Sequence, residues 1–152
     1  VDIGWLNPFA WRRRRAWARK YEGDPIYAVE DPIHVAAILI TGVVRLEGDL
    51  SAEQKQVVLT QFEQKFSLSP QAARELMTAA THLLGAPQVI ETQLNGLADK
   101  HKNTFSGEQA ESLFEMLCHV ASADGDMSAT QHEFVKGLRS RLTITQPEGT
   151  WA

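Results

Sequence analysis

Apolar residues recur at helical spacing along almost the whole chain, and no stretch of strict apolar–polar alternation is long enough to require a strand. The pattern predicts helices over about 9–20, 32–47, 52–66, 70–84, 87–101, 107–124 and 129–142. Asp31-Pro32 and Ser69-Pro70 each set a capping residue before a first-turn proline. Ser51, Ser106 and Ser128 are followed three residues later by Gln54, Gln109 and Gln131, the spacing of a capping box. Within 107–124, Leu113, Leu117 and Val120 form a stripe flanked by Phe114 and Ala121, while Glu108, Glu111, Glu115 and Ser122 fall opposite. The 32–47 helix is apolar nearly all round, through Val35, Ile38, Leu39, Ile40, Val43 and Val44, and is expected at the centre. An all-α fold follows, a compact bundle of about seven helices.

Two short stretches repeat. "RLEGDLSAEQ" (45–54) and "SADGDMSATQ" (122–131) share an acid, a glycine, an aspartate, an apolar residue and Ser-Ala-x-Gln, at a constant offset of 77 residues. Each lies between an apolar helix and an amphipathic one. The bundle is therefore expected to consist of two pseudo-symmetric helical repeats joined by residues 70–101.

Much of each acidic turn is explained by helix-junction chemistry. Gly48 and Gly125 suit the left-handed residue that ends a helix, Ser51 and Ser128 cap the next, and Asp49 and Asp126 stand just ahead of a favourable helix N-terminus. Glu47 and Asp124 are not explained this way, because the predicted boundaries put them in a last helical turn, where an anion costs about 0.3–1 kcal/mol. At about 100° per residue, position 124 returns to within roughly 20° of Leu113, and position 47 bears the same relation to Ala36. A carboxylate at the foot of a buried stripe calls for a cation, a neighbouring Lys or Arg, or the next helix's amides. The twelve-residue calcium loop is not present: its glycine and bidentate glutamate places hold Ala129 and Val135 in one turn and Ala52 and Val58 in the other. A looser oxygen site from Asp124, Asp126 and Glu133, or from Glu47, Asp49 and Glu53, stands beside plain helix-junction chemistry as an open alternative.

An apolar helix, then "ADGDMS", then an amphipathic helix, together with "FSLSPQAARELM" at 66–77, resembles the TerB-like tellurite-resistance family, including the related module of a membrane-anchored DnaJ-type co-chaperone. The resemblance covers roughly residues 32–142. It implies an all-helical fold of two helical repeats, a link to bacterial stress resistance, and a divalent cation such as calcium, magnesium or manganese at Glu47, Asp49, Asp124 and Asp126. This sequence departs from the family pattern at Glu47, where Asp is usual, and at Thr130, where Glu is expected.

Charge divides the chain unevenly. Residues 1–20 hold six cations against Asp2, a local balance of +5, which leaves −9 for the rest of a chain whose net charge is −4. An acidic body disfavours nucleic acid and permits cations. The basic stretch "WLNPFAWRRRRAWARKY" interleaves Trp5, Trp11 and Trp17 with Arg12, Arg13, Arg14 and Arg15, a composition that suits a membrane interface or a packed partner helix. No apolar stretch reaches the roughly 18–20 residues needed to span a bilayer, and the ordered regions of a signal peptide are missing.

The single cysteine, Cys118, can form neither an internal disulfide nor a thiolate zinc site and reads as a small flanking hydrophobe. The five histidines show no paired-ligand spacing, and no phosphate loop or nucleophile elbow occurs. The expectation is a basic aromatic arm (1–30), a helical domain (31–145) and a C-terminal tail (146–152). It describes a non-catalytic, cytoplasmic interaction module with a protein partner, able to meet the inner face of the membrane through its arm. The alternative is a structural adaptor without metal.

Overall fold

Six of the seven expected helices lie within the residues described by a computed structural model of the chain, namely 24–123, 125–142 and 151. They are α1 (Pro32–Arg45), α2 (Ala52–Lys65), α3 (Pro70–Leu83), α4 (Pro87–Lys100), α5 (Gly107–Ala121) and α6 (Ala129–Arg141), preceded by a 3₁₀ turn at Pro25–Ala28. The expected helix over 9–20 lies outside the described residues. No strand occurs among those described, so the fold is all-α.

The local signals act as the sequence implies. Asp31 and Ser69 accept hydrogen bonds from the amides of Ile33 and Ala72, and Ser51, Ser106 and Ser128 form complete capping boxes with their glutamines. After α2 the chain turns at Ser67, whose φ of 56° is the left-handed conformation usually left to glycine, while the Leu68 amide reaches back to the Glu63 carbonyl at 3.2 Å. That bond pattern stops α2 and lets Ser69-Pro70 begin α3 at once.

Helix α1 is the axis of the bundle. Every residue from Val35 to Val44 is buried, and α1 contacts all five other helices. Gly42 permits a close approach of α4, since a Cβ there would sit 2.4 Å from Cδ2 of the fully buried Leu94. The two repeats, α1–α2 and α5–α6, pack in an exchangeable way: α1 meets α5, each repeat's first helix meets its own second, and each also meets the other repeat's second. Helices α3 and α4 fill the interval and break the symmetry, α3 packing on α1 and α2, and α4 on α1 and α6.

The segment ahead of α1 belongs to this core rather than to the arm that sequence assigned to residues 1–30. Ile26, Ala28 and Val29 are buried, and Asp24 both caps the 3₁₀ turn at the Ile26 amide (3.0 Å) and accepts the Gln93 amide at 2.8 Å. Gln93, itself buried, also accepts the Gly85 amide at 2.9 Å, so one side chain joins the strap to the α3–α4 junction. His101 completes the clamp: its Nε2 meets the Val29 carbonyl at 3.0 Å and its Nδ1 the Thr104 hydroxyl at 2.9 Å. A carbonyl only accepts, so Nε2 carries the proton, and the neutral ring takes the Thr104 hydroxyl on its other nitrogen.

Burial holds the His101 pKa below its ordinary value, with the nearby Lys100 acting in the same direction and the Val29 bond and Glu30 opposing it. Protons therefore bind the unfolded chain more readily, and stability contributed by neutral His101 is present above about pH 6.5 and lost as pH falls below it. Thermal melts between pH 7 and pH 5 should show a decline that is shallower in His101→Gln; parallel declines would mean that this ring is not the titrating group.

Candidate functional site

The acidic turns begin where two helices give out. Helix α1 ends at Arg45, Leu46 caps it, and the Glu47 and Gly48 amides bond back only three residues, to the Val44 and Arg45 carbonyls, tightening the last turn. Gly48 then takes φ 120°, and its counterpart Gly125 takes φ 144°. Neither conformation suits a residue with a Cβ, so the glycines set the reversal. Ser51 and Ser128 follow with nearly the same backbone, φ −71° and ψ 168° against φ −70° and ψ 165°.

The Val43 carbonyl accepts the Leu46 amide at 3.3 Å within this tightened turn, and the second repeat supplies it with a further donor. Gln131 accepts the Ser128 amide through Oε1 at 3.0 Å, as its capping box requires, and donates Nε2 to the Val43 oxygen at 3.1 Å. The glutamine is 3% exposed, so both bonds are made away from water. A capping residue of one repeat thus ties down the helix end of the other, and the two turns lie side by side.

Between them is a cleft of about 250 Å³ whose walls obey the 77-residue offset: Val44 with Ala121, Asp49 with Asp126, Ser51 with Ser128 and Gln54 with Gln131. Glu47 also lines it, and the residue 77 positions on is Asp124, which lies outside the described residues. Apart from Glu47, exchanging the repeats maps these lining residues onto one another. The junction of the duplication and the acidic cleft are one place.

The carboxylates project into solvent, contrary to the expectation of acids at the foot of a buried stripe. Glu47 is exposed because α1 stops two residues earlier than predicted, which removes the helical projection that aimed it at the core. Asp126 is exposed too, and the Asp49 side chain is 96% exposed, with Arg45 Nη2 3.8 Å from its Oδ1. A pair that open to water contributes little. Among the described residues, no three His, Cys, Asp or Glu side chains stand close enough together to hold a metal ion. Glu47, Asp49 and Asp126 therefore share a cleft without forming a complete inner coordination sphere. The two hydroxyls in the wall are already committed, each accepting a backbone amide at 3.1 Å.

Other sequence candidates fall elsewhere. Trp5, Trp11, Arg12, Arg13, Arg14, Arg15 and Trp17 lie outside the described residues. Cys118 is exposed rather than a flanking core residue, bordering a shallow depression with His119, Val57, Ser122 and Ala123. The sequence signalled the Gln131 capping box, but not its bond to Val43, because only packing brings those residues together.

A family model described as tellurite resistance protein TerB matches residues 33–149. Neither a curated protein nor a solved structure matches the chain.

Gln131→Glu isolates the bond between repeats, since glutamate caps a helix as well as glutamine does but has no N–H for Val43. Urea unfolding should show a loss of about 1–3 kcal/mol, the cost of losing a buried hydrogen bond and setting a carboxylate oxygen against the carbonyl in its place. A loss below about 0.5 kcal/mol, the scale of an ordinary surface change, would show that the bridge carries nothing.

Proposed function

Since this chain belongs to the TerB tellurite-resistance family, matched from residue 33 to 149, we propose that it is a non-catalytic interaction module of stress resistance with the shared acidic cleft as its ligand site. One observation carries this reading: residues of two turns 77 positions apart, with Asp49 and Asp126 among them, line one cleft together with Glu47. The ligand is a divalent cation, calcium, magnesium or manganese, which these carboxylates and Asp124 would hold through oxygen. Because the described carboxylates do not close around an ion, the cation keeps water in its shell, as hard cations readily do.

The cleft offers ligands rather than a nucleophile with its base, for Ser51 and Ser128 already accept backbone amides. That supports a binding role over catalysis. A second reading, a structural adaptor whose turns only join helices, draws support from the Arg45–Asp49 pair and from the lack of a three-ligand group among the described residues.

Melting separates the two. A cation that binds only the folded chain stabilises it by about 2.7 kcal/mol at a hundredfold excess over its dissociation constant, roughly 5–10 °C for a chain of this length. Calcium, magnesium or manganese should raise the melting temperature over EDTA, and Asp126→Asn should abolish the rise; identical melts in all four solutions would leave the adaptor.

The arm is proposed to bring this module, in the cytoplasm, to an anionic membrane surface or a protein partner. Arg12–Arg15 and the neighbouring tryptophans supply cations and interfacial rings for that contact. No described helix is long and apolar enough to cross a membrane. Sedimentation with phosphatidylserine vesicles should retain the full chain and release one lacking residues 1–20. Equal retention would end the membrane role.

A further inference from the structure

The strap ahead of α1 is tied mainly to one helix. Its 3₁₀ turn packs chiefly on α4. Gln93 Nε2 donates to Asp24, the Tyr27 hydroxyl donates to the Thr92 carbonyl at 3.3 Å, and Lys100 Nζ donates to the Tyr27 carbonyl. His101, which caps α4, donates Nε2 to the Val29 carbonyl at 3.0 Å. The Tyr27 ring lies on the backbone of α4 at Gly96, where a Cβ would come within 2.6 Å of its hydroxyl. The backbone bonds of the strap are those of a single turn, from the Tyr27 and Val29 amides to the Asp24 and Ile26 carbonyls at 3.2 and 3.3 Å. One such turn does not hold without packing.

Among these ties, the imidazole is the one that changes charge near neutral pH. Its ring is enclosed at 5% exposure, with Val29 on Nε2 and Thr104 on Nδ1. The Thr104 amide bonds back to the His101 carbonyl at 3.0 Å, so that side moves with the ring. The Val29 side is the one that can leave. A proton on Nδ1 creates a cation that water reaches only if a segment withdraws, and it turns the Thr104 hydroxyl from donor to acceptor. Enclosure disfavours this cation most, and Lys100 beside it adds to the effect, while the Val29 bond and Glu30 on the strap oppose it. Asp24 and Asp31 are engaged by Gln93 and by the Ile33 amide, and α1 brings His34 in its first turn.

We propose that residues 24–31 form a pH-operated latch: neutral His101 keeps the strap on α4, and protonation of the ring opens it while the six helices stay packed. Ile26 and Val29, 0% and 1% exposed, hold the strap closed at neutral pH, so the open form is a minor population that grows as pH falls. The strap joins residues 1–23 to α1, and its opening shifts the point from which the basic arm leaves the bundle. The latch is separate from the acidic cleft and needs no ligand there.

Amide hydrogen exchange of the native chain, followed by NMR at pH 7 and pH 5 and corrected for the intrinsic rate at each pH, measures opening residue by residue. Protection factors of the Tyr27 and Val29 amides should fall by at least about threefold and at most about twenty-five-fold, the limit for a ring that ionises near pH 6.5 once open and stays neutral while closed. At both pH values they should lie at least about a hundredfold below those of Ile38 and Leu39 in α1, the mark of opening without global unfolding. Equal protection in the strap and α1, or a smaller fall in the strap, overturns the proposal. His101→Gln keeps an N–H and does not titrate, so a fall of threefold or more in that variant also overturns it. If His101→Gln does not fold, the ring nitrogens of native His101 decide: they should report the neutral, Nε2-protonated form at pH 6, and a ring half-charged at pH 6.5 or above ends the latch.

Discussion

One buried hydrogen bond between the repeats, from the Gln131 side chain to the end of α1, organises the junction of this protein. Helix α1 ends in a tightened turn, and the oxygen of the buried Val43 accepts both the Leu46 amide of that turn and the Gln131 side chain of the second repeat. In water the Gln131 amide would be solvated freely; inside the bundle, at 3% exposure, an unmet donor costs on the order of 1–3 kcal/mol. That demand fixes how the end of α1 sits against the start of α6. The distance between the two acidic turns, and hence the existence of a cleft between them, follows from it.

The repeats meet through their first helices, and each second helix closes over the other's first. Such an arrangement brings equivalent junctions together, whereas stacking in tandem would separate them. The consequence is chemical: acids 77 residues apart, Asp49 and Asp126, line one cleft. Their exposure, and that of the Arg45–Asp49 pair, limits what they contribute to stability.

The rest of the structure is held by buried polar side chains that each serve more than one element. Gln93 binds the strap at Asp24 and the α3–α4 junction at Gly85; His101 holds Val29 and Thr104; Trp151 donates to Ser112. Gln93 and His101 each meet partners in segments far apart in sequence, and Trp151, with one N–H to place, also packs against Phe66 and Phe105. These contacts hold irregular segments that have no helical hydrogen bonds of their own.

The sequence determined the helices, their caps and the duplication, because these depend on spacings of three to four residues and on a constant offset that can be read directly. It marked α1 as central, since Val35 to Val44 offers no polar face to water, and it singled out Glu47, Asp49 and Asp126 by their repeated context. Helix ends were less legible: α1 stops at Arg45 because its last turn tightens, so Glu47 faces solvent where continued helical rotation would have turned it inward. The meeting of the turns in one cleft, the Gln131–Val43 bond and the burial of Trp151 were decided by tertiary structure alone. Each joins residues dozens of positions apart, and no local preference encodes such a contact until packing removes the water that would otherwise satisfy both sides.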